Sequence, residues 1–264
     1  AWRSGRVRKI ARSADLVICL LPFEKKFYDD HNIRALHVGH PLAERISGNP
    51  DCKAARRKLD LRDDGEWLAL LPGSRIGEVS RLANDFAETV AWLREHRPSM
   101  RFVAAMASVE SEKIFADALR RIAPSIEVHM IRGQAHEVMT AADAVLVASG
   151  TATLEAALIG RPMVVTYRLA RASWWLLHWP GLLKTERFSL PNLVAGEDLV
   201  PEILQDDISA QALGSAILRE LDDPGRRQYL GERFREIHQT LKRDASERAA
   251  EAILDLATGG VPTC

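Results

Sequence analysis

From Glu66 onward, short runs of uninterrupted apolar residues alternate with longer stretches whose apolar residues recur every three or four positions, and this alternation constrains the fold most. Runs such as Trp67-Leu68-Ala69-Leu70-Leu71 and Ala144-Val145-Leu146-Val147-Ala148 have no polar face, so each reads as a strand covered on both sides. Between them Val79, Leu82, Phe86, Val90 and Leu93 keep helical spacing. The pattern predicts strands over 67–71, 101–107, 126–131, 143–148 and 163–167, and helices over 78–95, 110–122, 135–141 and 154–159. Such βαβ units close with right-handed crossovers into a Rossmann-like α/β fold, a parallel sheet with helices on both faces. Ligands of such sheets bind outside the carboxyl ends of the strands.

Two of those ends carry loops suited to phosphate. After the strand at 144–148 comes Ser149-Gly150-Thr151-Ala152-Thr153-Leu154-Glu155, with Gly160 and Pro162 ending the helix that follows. Small hydroxyl residues and a glycine at a helix N-terminus place free N–H groups and the helix dipole where a phosphate is favoured. Glu155, just inside the helix, is positioned to accept hydrogen bonds from sugar or ribose hydroxyls. An ordinary capped turn is the competing reading for this loop taken alone. The second loop, Pro72-Gly73-Ser74-Arg75-Ile76-Gly77-Glu78, follows the strand at 67–71. Its glycines let a ligand approach the backbone, Ser74 offers a hydroxyl, and Arg75 offers a planar fork for phosphate. No Gly-Lys-Ser/Thr follows, so it is not a P-loop, and the glycine spacing is not that of a dinucleotide fingerprint. Together the two loops fit one diphosphate-bearing ligand lying over the carboxyl edge.

The chain's 264 residues suffice for one large or two ordinary domains. Its 36 basic and 36 acidic residues cancel, which leaves no global basic field for nucleic acid. Cys19, Cys52 and Cys264 lack metal-ligand spacing, no Asp/Glu/His cluster supplies one, and so few cysteines suit a reducing compartment. No apolar stretch reaches the ~20 residues that span a bilayer. Residues 1–46 differ from the rest: a basic segment from Arg6 to Arg12, an apolar run from Leu16 to Leu21, an amphipathic piece from Phe23 to Tyr28, a short strand around His37 and a turn at Gly39-His40-Pro41. That stretch is too short for a core of its own, so it is expected to be the tail of a preceding domain. A boundary is expected near Ser47–Pro50, with the ligand-binding domain over 47–208. Helices over 209–264, opened by Ser209, Pro224 and Ser246, are expected to pack at the domain interface.

One segment, Arg168 to Lys184, concentrates Trp174, Trp175 and Trp179 beside arginines and a lysine. Amphipathic rings with cationic neighbours suit a lipid headgroup layer or a lipidic substrate, and a tryptophan-rich core or interface contact is the alternative.

In combination, four blocks resemble the lipid-A-disaccharide synthase family, Gram-negative glycosyltransferases of the GT-B fold. They are Ala1-Trp2-Arg3 with Leu20–Lys25 and Phe27-Tyr28; Val38-Gly39-His40-Pro41; Leu70–Arg75 with Glu78-Val79; and Ala148–Glu155 with Pro162–Val165 and Ser189–Leu193. The resemblance, running from Ala1 to about Ala257, implies transfer of a diacylated glucosamine from UDP to the 6-hydroxyl of a diacylglucosamine 1-phosphate, with inversion. It implies that residues 47–208 bind the donor, with Gly73, Ser74 and Arg75 facing the diphosphate and Glu78 also among the substrate-binding residues. Ser149, Gly150, Thr151 and Thr153 then line the second phosphate or uridine loop, Glu155 meets the ribose, and Asn192 contacts donor sugar or diphosphate. No cofactor or metal is implied, the base is expected on an N-terminal part ahead of Ala1, and the partners are the two acylated sugars at the cytoplasmic face of the inner membrane. Two other readings stay open: a UDP-sugar-binding module without turnover, and another GT-B-like UDP-sugar enzyme such as a muramyl-type transferase or an epimerase.

Overall fold

The computed structural model describes residues 4–48, 50–169 and 187–258. Helix α1 (Ser4–Ser13) leads into a two-stranded parallel sheet of β1 (Val17–Cys19) and β2 (Ala35–His37), joined through α2 (Pro22–Asp29). Two short helices follow, α3 (Pro41–Arg45), opened by the proline and capped by the His40 ring, and α4 (Cys52–Lys58), capped by Asp51. The alternating region then builds β3 (Trp67–Leu71), α5 (Ile76–His96), β4 (Arg101–Met106), α6 (Val109–Ile122), β5 (Val128–Arg132), α7 (Ala135–Ala141), β6 (Ala144–Ala148), α8 (Thr151–Ile159) and β7 (Met163–Tyr167). After them come α9 (Leu190–Ala195), β8 (Glu202–Leu204), α10 (Ala210–Asp222), α11 (Pro224–Leu241) and α12 (Ala245–Ala257).

The large sheet is parallel throughout, in the order β5-β4-β3-β6-β7-β8. Successive side chains of a strand face opposite ways, and β3 shows why an all-apolar run was needed. Leu68 and Leu70 enter a core with Val79, Phe86, Phe115 and Leu213 from α5, α6 and α10. Trp67, Ala69 and Leu71 enter the opposite core with Val138, Leu154, Leu158 and Phe234 from α7, α8 and α11. Both faces are buried, as the parallel α/β reading requires.

Some boundaries differ from the expected ones. α5 starts at Ile76 and α8 at Thr151, so each helix absorbs part of the loop before it. Strand β8 escapes the periodicity because only three residues, Glu202-Ile203-Leu204, pair along β7 at the sheet edge. The three final helices go to three surfaces: α10 to one sheet face, α11 to the other, and α12 to the small sheet, where Ala245 and Ala252 meet Leu36 and Val38. Where the chain crosses between sheets, Gly39 (φ +95°) packs so tightly that a Cβ there would lie 2.6 Å from the Leu241 carbonyl. Among the described residues, no helix is long and apolar enough to cross a membrane.

Candidate functional site

Strand order reverses between β3 and β6: β4 and β5 lie to one side, β7 and β8 to the other. The loops leaving β3 and β6 therefore diverge to opposite faces of the sheet and leave a crevice between them. A cleft of about 400 Å³ occupies that point, lined by Gly73, Ser74, Arg75 and Glu78 from one loop and by Ser149, Gly150 and Thr151 from the other. At the far edge of the sheet, Asp143 registers the same two strands. Its Oδ2 accepts the Trp67 N–H at 2.7 Å and Nη2 of buried Arg56 at 2.8 Å.

The first loop is held by Glu78. Its Oε2 accepts the N–H groups of Ser74 and Arg75 at 3.2 and 3.3 Å, and its Oε1 accepts Nη1 of Arg75 at 2.7 Å. Only 11% of the Glu78 side chain is exposed against 82% for Arg75, so the carboxylate shapes the loop while the guanidinium stands in solvent. Gly73 is required here: its φ is +134°, and a Cβ would lie 2.7 Å from the Cβ of Glu78.

The second loop presents backbone more than side chain. Thr151 and Ala152 open α8, so their N–H groups have no acceptor within the helix, and both residues line the cleft. The Ser149 hydroxyl donates to the Phe188 carbonyl at 2.9 Å, and its N–H donates to Thr166 at 2.9 Å.

Three expected ligand residues lie elsewhere. Thr153 is fully buried; its hydroxyl donates to the Gly150 carbonyl at 2.8 Å and accepts the Leu190 N–H at 3.3 Å, so it ties α9 to α8 and does not line the cleft. Asn192 is also buried, with its amide committed. Nδ2 donates to the Val200 carbonyl at 2.9 Å and to Oε1 of Glu202 at 2.7 Å, while Oδ1 accepts the Val200 N–H at 2.8 Å. In the structure the amide is thus engaged by the protein itself. Glu155 sits one turn beyond Thr151, outside the cleft lining, among charges from Arg45 and His136. Trp174, Trp175 and Trp179 lie outside the described residues.

Burial raises the pKa of Glu155 above its ordinary value of 4.5, with His136 and Arg45 pulling it partly back. A carboxyl raised in the folded state stabilises the fold while protonated and loses that contribution as pH rises through the raised value. Glu155→Gln, which stays neutral, is expected to match the parent near pH 4 and to exceed it in stability toward pH 8, roughly. Urea unfolding of both proteins across that range checks this; a difference that does not grow with pH would contradict it.

Residues that the sequence reading missed also line the cleft: Ala105 to Ala107 at the carboxyl end of β4, and Gly133 and Ala135 after β5. Gly133 adopts φ +70° at the end of a strand, and that glycine at a strand's carboxyl end was the available signal. Among the described residues, no group of three or more His, Cys, Asp or Glu side chains is arranged to hold a metal ion.

A family model described as lipid-A-disaccharide synthetase matches residues 1–254. The lipid-A-disaccharide synthase of Alkalilimnicola ehrlichii is 50% identical over 98% of this chain and 68% of its own length. That of Hahella chejuensis is 46% identical over 98% of this chain and 65% of its own. The chain thus spans about two thirds of the length of these relatives. Among solved structures, the MnaA–UDP co-structure from S. aureus superposes with a TM-score of 0.65 at 14% identity, over 97% of this chain and 63% of that one. WaaG, a glycosyltransferase involved in lipopolysaccharide biosynthesis, gives 0.53 at 19% identity, over 92% and 62%. At such identities the likeness establishes the fold, the Rossmann-like parallel sheet of GT-B proteins.

Proposed function

The chain belongs to the lipid-A-disaccharide synthase family of glycosyltransferases, and on that footing we propose that its switch-point cleft holds the UDP end of a diacylated glucosamine donor. The observation that carries this reading is the pairing of two phosphate-suited loops, 73–75 and 149–152, on adjacent strand ends around one cleft. In transfer, the 6-hydroxyl of a diacylglucosamine 1-phosphate attacks the donor's anomeric carbon as the bond to UDP breaks. Negative charge then grows on the diphosphate, where the N-terminal turns of α5 and α8 and the Arg75 fork stabilise it. A base must take the hydroxyl proton, and that role is assigned to none of the described residues. Two acyl chains on each sugar support a working position at the cytoplasmic face of the inner membrane.

Calorimetric titration with UDP tests the donor site. Saturable binding is expected, and Arg75→Ala should weaken it by about 1.5–3 kcal/mol, the range for hydrogen bonds to charged groups. The variant should fold as well as the parent, because an ion pair this exposed contributes little to stability. A folded parent chain that fails to bind UDP would overturn the reading; unchanged affinity in the variant would remove Arg75 from the site.

A further inference from the structure

An anion at the carboxyl edge needs net positive charge, and the cations there are nearly all cancelled. Arg75 is paired with Glu78 at 2.7 Å, Arg132 at the end of β5 with Glu112 at 3.0 Å, and Arg168 just after β7 with Asp85 at 2.9 Å. Arg81, on the second turn of α5, is different. Its Nε donates to the Arg168 carbonyl at 2.9 Å, which fixes the plane of the guanidinium. Side chains on a helix lean toward its N-terminus, so residue 81 covers residue 77 one turn earlier. That residue is Gly77, and a Cβ built there would lie 3.4 Å from Nη1 and 3.6 Å from Nη2 of Arg81. The guanidinium thus lies over the first turn of α5, one residue from the cleft-lining Glu78. Among the described residues no carboxylate pairs with it, and no hydrogen bond is made by Nη1 or Nη2.

We propose that Arg81 is a phosphate-binding residue, the fixed cation whose uncancelled charge draws a phosphate group of a substrate to the N-terminus of α5. Two features carry this: the anchored Nε, and two donor nitrogens left over that it holds against the first turn of α5. The inference deepens the donor-site reading and rests on it for the identity of the substrates. Two phosphates are candidates, the diphosphate of the donor and the phosphate monoester of the acceptor.

Arg81→Met keeps the apolar stem and removes the charge. Titrating the full chain and this variant with UDP, uridine and glucosamine 1-phosphate separates the sources. The expected result is a loss of about tenfold or more in affinity for at least one of the two phosphate compounds, with uridine affinity and melting temperature unchanged. Loss confined to UDP assigns Arg81 to the donor, and loss confined to glucosamine 1-phosphate assigns it to the acceptor. If both phosphate compounds bind the variant as tightly as the parent, or neither binds the parent, the proposal is overturned. An Arg81-dependent affinity for glucosamine 1-phosphate in a chain that binds UDP no better than uridine would keep the proposal and remove the donor diphosphate from this cleft.

Discussion

Arg56→Met is expected to cost about 3 kcal/mol of stability and to lower the melting temperature by roughly 6–12 °C. Arg56 is 6% exposed, and its guanidinium joins α4 to the nearby turn at 63–65 and to residues 141–143, far along the chain. Nε donates to the Ala141 carbonyl at 2.8 Å, Nη1 to the carbonyls of Asp63 and Gly65 at 2.9 and 3.3 Å, and Nη2 to Asp143 at 2.8 Å. Methionine fills much of the volume but supplies no donors, so the buried Ala141 carbonyl loses its Arg56 donor, while the Asp63 and Gly65 carbonyls lie on exposed residues. The penalty stays below that of a fully buried pair because the Asp143 side chain is 37% exposed and regains water. Asp143 also accepts the Trp67 N–H, which starts β3 in register beside β6, so the variant should lose cooperativity in the large sheet first. Denaturant unfolding measures the effect, and a loss under about 1 kcal/mol would show that the network contributes no more than a surface pair.

Asn192→Leu should destabilise the chain by about 3 kcal/mol, although leucine is close in size. Removing the amide leaves the Val200 N–H, the Val200 carbonyl and one Glu202 oxygen short of partners in a buried setting. Glu202 also accepts the N–H groups of Phe188 and Ser189 at 2.8 Å each, so the damage should spread from α9 to the start of β8. A ligand-contact residue would behave in the opposite way, keeping stability and losing affinity for a UDP-sugar. Unfolding free energy and UDP affinity measured on the same preparation separate the two, and a variant as stable as the parent would restore Asn192 as a candidate ligand residue.

The two substitutions mark the limit of what local pattern conveys. Apolar runs and helical spacing are properties of neighbouring residues, so the alternation of strands and helices, the parallel sheet and the helix N-termini at both loops were legible in residues 66–167. Capping signals were legible for the same reason: Ser209 accepts the Ala212 N–H, and Asp223 with Pro224 opens α11 where the proline predicted it. Even Gly73 carried its meaning locally, because its partner is five residues away in Glu78.

Tertiary structure decided which side chains those loops keep for a ligand. Nothing in the periodicity says that β3 lies beside β6, yet this pairing creates the crevice, since strand order depends on crossovers rather than on the composition of any one strand. Asn192 was expected at the ligand only because the family resemblance implied it, and an asparagine can bind backbone as well as it can bind a sugar. In the fold its amide is engaged by Val200 and Glu202, eight and ten residues on. Charge follows the same division. Sequence supplied the arginines at the carboxyl edge and, for Arg75, a carboxylate three residues on; only the fold brought Glu112 to Arg132 and Asp85 to Arg168 and left Arg81 without a carboxylate partner among the described residues, because a charge is offset by what stands a few ångströms away.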